Sequence, residues 1–153
     1  MTGVTAILCP AGAAAGVDIS GGGPASRETA LLGRHSAGSR VHAVLLSGGS
    51  AFGLAAADGA MWYLEQREIG FPTGYAHVPL VLQSCLYDLG VGSPHVRPDA
   101  DMGYAACAAA ERNDPRPGPF GAGTGATVGK LRGMARAQRC GLGLAARRVN
   151  GLM

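Results

Sequence analysis

Residues 41–50 read V-H-A-V-L-L-S-G-G-S, and this stretch decides the fold class. The apolar run 41–46 has the pattern of a strand buried on both faces, not one that alternates between core and water. The small residues 47–50 then supply a tight turn. Residues 51–68 follow as the strongest helical segment, with Leu54, Ala57, Met61 and Leu64 at i, i+3, i+7 and i+10. Ser50 is placed to be its N-cap, and Gly70 with Pro72 marks its end. A buried strand feeding a helix through a short turn is an α/β unit.

Towards the N-terminus, residues 4–8 predict a strand that ends at Pro10, and 16–20 alternate around Val17 and Ile19 as a second. The run G-G-G-P at 21–24 breaks the chain. A short helix is expected from Ser26 through Leu32, followed by a surface connection over 33–40. Towards the C-terminus, 78–82 and 84–89 are apolar and extended, with Pro79 suited to an edge or a strand start. Residues 90–98 read as a loop. Asp99 or Asp101 caps a second helix reaching about Arg112, expected to pack through Met102, Ala105, Ala106 and Ala109. The proline-rich run 113–119 is a linker, and no internal repeat occurs.

At 153 residues the chain fits one domain, and 47% hydrophobic with 15% charged residues is a globular composition. Glycine contributes 26 residues, well above the usual share of about 7%. Net charge is +3, and every acidic residue lies at or before Asp114, so the tail 134–153 is basic. No aromatic residue follows Phe120, which removes a stacking platform for bases and argues against nucleic-acid binding. Cys9, Cys85, Cys107 and Cys140 are widely spaced, as expected of reduced thiols in a cytoplasmic protein, not a zinc ribbon or a disulfide framework. No signal peptide and no apolar run of membrane-spanning length, about 18 residues, is present in the sequence.

Residues 120–131, F-G-A-G-T-G-A-T-V-G-K-L, carry four glycines and Lys130, the one lysine in the chain. The stretch reads either as a glycine-rich turn with a surface lysine or as a site. A P-loop needs a glycine where Thr124 stands and a hydroxyl where Leu131 stands, so it fails at both ends. The dinucleotide fingerprint is matched at Gly121, Gly123 and Ala126, but no strand precedes it and no acidic residue follows to bind a ribose. Around Ser50 a nucleophile elbow would require G-x-S-x-G, and the second glycine, Gly53, comes one residue late. His35, His42, His77 and His95 have no metal-ligand spacing, and neither a metal nor a cofactor is expected.

Several segments, in order, resemble the DmpA-like family of L-aminopeptidase/D-Ala-esterases, which includes nylon-oligomer hydrolases. They are G-V-T-A-I-L at 3–8, G-G-G-P-x-x-R-E-T at 21–29, L-L-S-G-G-S-A-F-G-L at 45–54 and A-A-D-G-A-M at 56–61. Y-D-L at 87–89, R-P at 97–98, G-Y-A-A-C-A-A-A at 103–110 and G-A-G-T-G-A-T-V-G-K at 121–130 complete the set. The resemblance covers 3 to about 133 and leaves 134–153 divergent.

This resemblance implies an αββα sandwich, here incomplete, with a mixed sheet and flanking helices. It also implies a precursor that cuts itself, exposing a Ser or Thr nucleophile that attacks an N-terminal amide or ester through an acyl-enzyme. Lys130 matches the family's lysine beside that nucleophile, in a site expected to be glycine-lined and partly dry. Gly48, Gly49, Ser50, Phe52, Gly123, Thr124 and Gly125 are expected to form the oxyanion and substrate wall. Phe52 stands where some relatives carry an oxyanion-stabilising tyrosine and has no hydroxyl to donate; the amides of Gly48 and Gly49 remain candidates.

The family's G-G-L-G-S-A-S appears as C-G-L-G-L-A-A at 140–146, with Leu144 in place of serine, and no self-cleavage junction follows. The expectation is therefore one partial domain from the larger subunit, inactive alone. Its partners would be a peptide or small amide substrate, the missing C-terminal subunit and further copies in a homo-oligomer, but neither nucleic acid nor membrane. The alternatives are a non-catalytic remnant or binding subunit, and a serine hydrolase using Ser50.

Overall fold

The computed structural model describes residues 1–33, 35–36 and 40–149. Strand β1 (Val4–Ala13) pairs antiparallel with β3 (Val41–Ser47) from Val4 opposite Ser47 to Leu8 opposite Ala43, and a bulge follows before Ala13 meets Val41. Strand β6 (Val81–Cys85) runs parallel to β3, with Leu45 beside Gln83. The short β2 (Ser26–Arg27) closes the other side of β6 antiparallel, so the four-stranded mixed sheet has the order β1-β3-β6-β2. Two hairpins stand apart from it: β4 (Phe71–Pro72) with β5 (His77–Val78), and β7 (Thr127–Val128) with β8 (Gln138–Arg139).

The parallel β3–β6 pair needs a crossover, and helix α1 (Ala56–Glu65) provides it. Helix α2 (Ala100–Ala110) packs beside α1 on the same side of the sheet. The core lies between these helices and one sheet face, where Ala43, Leu45, Ala57, Ala60, Tyr63, Leu64, Val81 and Cys107 are buried. Alanine and glycine let the helices come close: a Cβ on Gly59 would lie 1.7 Å from the Ala100 carbonyl oxygen, and one on Gly103 1.8 Å from that of Ala56. Tyr63 and Tyr104 meet edge to face at 5.3 Å.

The opposite sheet face is less covered. By strand alternation it carries Ile7, Val44, Leu46, Leu82 and Leu86, of which Ile7 and Leu86 are 49% and 42% exposed. Mixed α/β architecture is therefore as expected, and the 41–47 strand is buried along nearly its whole length.

Several local expectations are corrected. Residues 14–20 form no strand, and Val17 and Ile19 stay half exposed because no neighbour pairs with them. The segment from Ser26 begins as strand β2 and then makes a 3-10 turn at Thr29–Leu32. The helix expected from 51 starts as a 3-10 turn, Ser50–Ala55, and becomes α-helical only at Ala56. Ser50 is not an N-cap: its side chain makes no capping bond, and its φ is +55°. Asp99 does cap α2, its Oδ1 accepting from the Met102 N–H at 2.9 Å. Helix α2 buries Gly103 and Cys107, while Ala105 and Ala109 face water. The connection predicted over 33–40 lies partly outside the described residues.

Candidate active site

Two glycine-bearing turns meet at the C-terminal ends of β3 and β6. The first, residues 47–50, leaves β3. The second is the 3-10 turn Gly121–Gly125, which buries Ala122, Gly123 and Gly125. Between them lies Asp88, only 4% exposed. Its Oδ1 accepts from the Gly49 N–H at 2.6 Å. Its Oδ2 lies so close to both turns that a Cβ on Gly48 would approach it to 1.9 Å and one on Gly125 to 2.3 Å. Thr2 reaches the same point, its Oγ1 2.2 Å from the Gly48 Cβ position. Neither Asp88 Oδ2 nor Thr2 Oγ1 has a hydrogen-bond partner among the described residues. Glycine at 48 and 125 is thus required by close approach to a buried carboxylate.

The first turn is fixed from below by a buried polar cluster. The Gln83 amide nitrogen donates to Ser47 Oγ at 2.9 Å and to the Gly53 carbonyl at 2.7 Å, while Ser47 Oγ lies 3.0 Å from Cys85 Sγ. Its backbone donors are all engaged. Gly48 N–H bonds the Gly3 carbonyl at 3.0 Å, Gly49 N–H bonds Asp88, and Ser50 N–H bonds the Leu86 carbonyl at 2.8 Å. Gly48 and Gly49 therefore have no free N–H for an oxyanion in this arrangement. They serve instead to let Asp88 and Pro98 in: a Cβ on Gly49 would come within 2.6 Å of Pro98 Cδ. Ser50 holds a left-handed backbone, which costs a non-glycine residue about 1–3 kcal/mol, and its hydroxyl has no partner among the described residues.

The second turn borders a cavity of about 320 Å³ on the open face of the sheet. Leu46, Ser84 and Leu86 form its sheet side, Gly123 and Ala126 its turn side, and Lys130, Tyr87 and Cys140 its remaining wall. Lys130 begins a 3-10 turn just after Gly129, whose φ is +77°. It is exposed and makes no hydrogen bond or ion pair among the described residues, so the drying expected around it is not built by those residues. No cluster of three or more His, Cys, Asp or Glu side chains able to hold a metal occurs among the described residues. No helix there is long and apolar enough to cross a membrane.

A model of peptidase family S58 matches residues 1–151. The chain belongs to peptidase family S58. An uncharacterized aminopeptidase of Mycobacterium leprae is 46% identical over 138 residues, covering 86% of this chain and 38% of the relative. An uncharacterized aminopeptidase of Mycobacterium tuberculosis (strain ATCC 25618 / H37Rv) is 47% identical over 131 residues, with the same 86% and 38% coverage. A 6-aminohexanoate-oligomer endohydrolase of Kocuria sp. (strain KY2) is 36% identical over 148 residues, covering 97% of this chain and 39% of the relative. The chain thus spans well under half the length of these relatives.

Within this S58 chain, the structure brings Gly48, Gly49 and Gly125 together around Asp88 and puts Gly123 and Lys130 in one cavity wall. Thr124 belongs to the same turn, but its carbonyl is taken by Arg139 Nη2 at 2.6 Å and its hydroxyl lies 3.5 Å from the Pro119 carbonyl. Phe52 stands outside that cavity, 55% exposed, with the Arg97 guanidinium 3.5 Å above its ring. Asp88, Tyr87, Ser84 and Cys140 are the members that site reasoning from sequence missed. The Y-D-L motif at 87–89 was the available signal for two of them.

Proposed function

We propose that this chain is the lysine-bearing part of an amide hydrolase of the self-processing, N-terminal-nucleophile type. It would act on N-terminal amide or ester bonds of peptides or small amides. The observation that carries this reading is that Lys130 and the Gly121–Gly125 turn border a cavity against the open sheet face in a chain of a peptidase family. In the proposed chemistry, a hydroxyl nucleophile supplied from outside the described residues enters beside Lys130. Its proton passes to an amine base, its oxygen attacks the amide carbon, and the C–N bond breaks as the leaving amine takes that proton. Water then adds to the acyl-enzyme, releasing the acid and restoring the hydroxyl.

The half-exposed Ile7 and Leu86 support the finer architecture, an αββα sandwich whose second sheet packs on this face. Two sheets pack about 10 Å apart with their apolar faces interdigitated, and a second sheet there would enclose Lys130. The same uncovered surface supports association, either with a C-terminal subunit or between copies.

Ser50 favours a second reading, a serine hydrolase, through its left-handed backbone and unpartnered hydroxyl at a strand-to-helix turn. Against it, no base lies within hydrogen-bond reach of Ser50 among the described residues. The test is release of p-nitroaniline from aminoacyl p-nitroanilides. The first reading expects none from the purified chain and expects turnover from a family-length form, lost in Lys130→Met. Turnover by the purified chain that disappears in Ser50→Ala establishes the second reading.

A further inference from the structure

We propose that Arg97, stacked on Phe52, is a binding residue for the free carboxylate of a short amide substrate. The Arg97 guanidinium carbon sits 3.5 Å from the Phe52 ring centroid, and its Nε donates to the Pro94 carbonyl at 2.8 Å. Its neighbour Pro98 is fully buried against Gly49 and pins this stretch to the turn that leaves β3. The head group is thereby held by two contacts, the ring and the Pro94 carbonyl, on a backbone fixed by Pro98.

What the guanidinium lacks is an anion. Of the three described arginines set over an aromatic ring, Arg67 and Arg116 also pair with a carboxylate, on Glu111 and Asp114 respectively. Arg97 pairs with none, and its Nη1 and Nη2 have no hydrogen-bond partner among the described residues. The acid nearest it in sequence, Asp99, uses Oδ1 to cap α2.

Stacking leaves the guanidinium N–H groups in the plane of the fork, and with Nε bonded to Pro94 it is the Nη1/Nη2 end that can take two oxygens of one carboxylate. Because the fork is already held, little ordering entropy opposes binding. The exposed Phe52 ring offers an apolar wall for the methylene groups next to that carboxylate. The two N–H groups at the end of one guanidinium match the two oxygens of a singly charged carboxylate. Neither Phe52 nor Arg97 lines the Lys130 cavity; the link between them runs through the backbone, where Ser50, two residues before Phe52, donates its N–H to the carbonyl of Leu86, a lining residue.

The assignment of this carboxylate to an amide substrate rests on the proposed hydrolase reading, whereas the anion site itself does not. The test is calorimetric titration with trialanine and with its C-terminal amide, on the chain and on Arg97→Met. The expected result is a preference for the free carboxylate of about tenfold, or about 1.4 kcal/mol, that disappears in Arg97→Met and weakens in Phe52→Leu. Unchanged thermal midpoints in both variants confirm that the loss is local. Equal affinity for the two probes, binding of neither, or a preference that survives Arg97→Met overturns the proposal. If the preference holds while a family-length form hydrolyses no amide, the hydrolase reading fails and the carboxylate site stands. If amides are hydrolysed without the preference, the carboxylate site alone fails.

Discussion

Removing the Asp88 carboxylate should relieve the strain of adding a methyl at Gly48, and this coupling tests how the two turns are held. In Gly48→Ala the new Cβ falls 1.9 Å from Asp88 Oδ2 and 2.2 Å from Thr2 Oγ1, so at least one of them must move. Overpacking of this kind costs about 1–3 kcal/mol. Asp88→Ala removes the acceptor of the buried Gly49 N–H, 2.6 Å away, and an orphaned buried donor costs about 1–3 kcal/mol. With the carboxylate gone, two of the three nearest atoms to the methyl at position 48 are removed, leaving the rotatable Thr2 hydroxyl at 2.2 Å. The double variant should then be more stable than the sum of the single losses predicts, by a coupling of about 0.5–3 kcal/mol, the range seen for residues in contact. Urea unfolding followed by far-UV circular dichroism and by the fluorescence of Trp62, the one tryptophan, gives all four stabilities. Additive losses, within about 0.3–0.5 kcal/mol, would refute the close approach of Asp88 to the Gly48 turn.

Burial pushes the Cys107 thiol up to about 11, and it is fully enclosed, while Cys9 and Cys140 are half-buried. Maleimide followed by mass spectrometry should label Cys9 and Cys140 in the native protein and reach Cys107 only on unfolding. Burial lowers the His42 pKa below 6.5, and its Nδ1 accepts the Leu80 N–H at 3.1 Å, which requires the neutral ring. The unfolded chain therefore takes up this proton first. The contribution is complete above about pH 6.5 and is lost as pH falls towards the folded value. An NMR titration of His42 with a midpoint at or above 6.5 would refute this. The Tyr63 hydroxyl bonds Glu111 and, ahead of Arg67, holds that carboxyl below its usual range. Tyr63→Phe should raise the Glu111 pKa, measured by carboxyl NMR shifts, and an unmoved titration counts against the bond.

The sequence made legible what depends on neighbours along the chain. The apolar run 41–46 announced a strand, and Asp99 announced a helix cap, because both signals are local, although Val44 and Leu46 on the open face are only partly buried. Residues 16–20 had the alternation of a strand but no partner, and pairing, not alternation, makes a strand. Helix α2 is so rich in alanine that its buried side carries little contrast. Its orientation comes from Gly103 lying against the α1 backbone, a contact between distant segments. Asp88 was missed for the same reason. Its burial arises where Gly48, Gly125 and Thr2 converge from three parts of the chain. The family motifs located Lys130 and the two turns. They could not show that the amides of Gly48 and Gly49 are already hydrogen-bonded within the fold.

On the proposed reading, Lys130 forms one wall of an amide-hydrolase site that a nucleophile from outside the described residues completes. The most direct test is hydrolysis of an aminoacyl p-nitroanilide by the purified chain, by a family-length form, and by that form carrying Lys130→Met. No turnover is expected from the chain, clear turnover from the family-length form, and a loss of about 10²–10⁴-fold in Lys130→Met, the usual contribution of a positioned proton-transfer group. Full activity in Lys130→Met, or turnover by the chain alone, would contradict that reading.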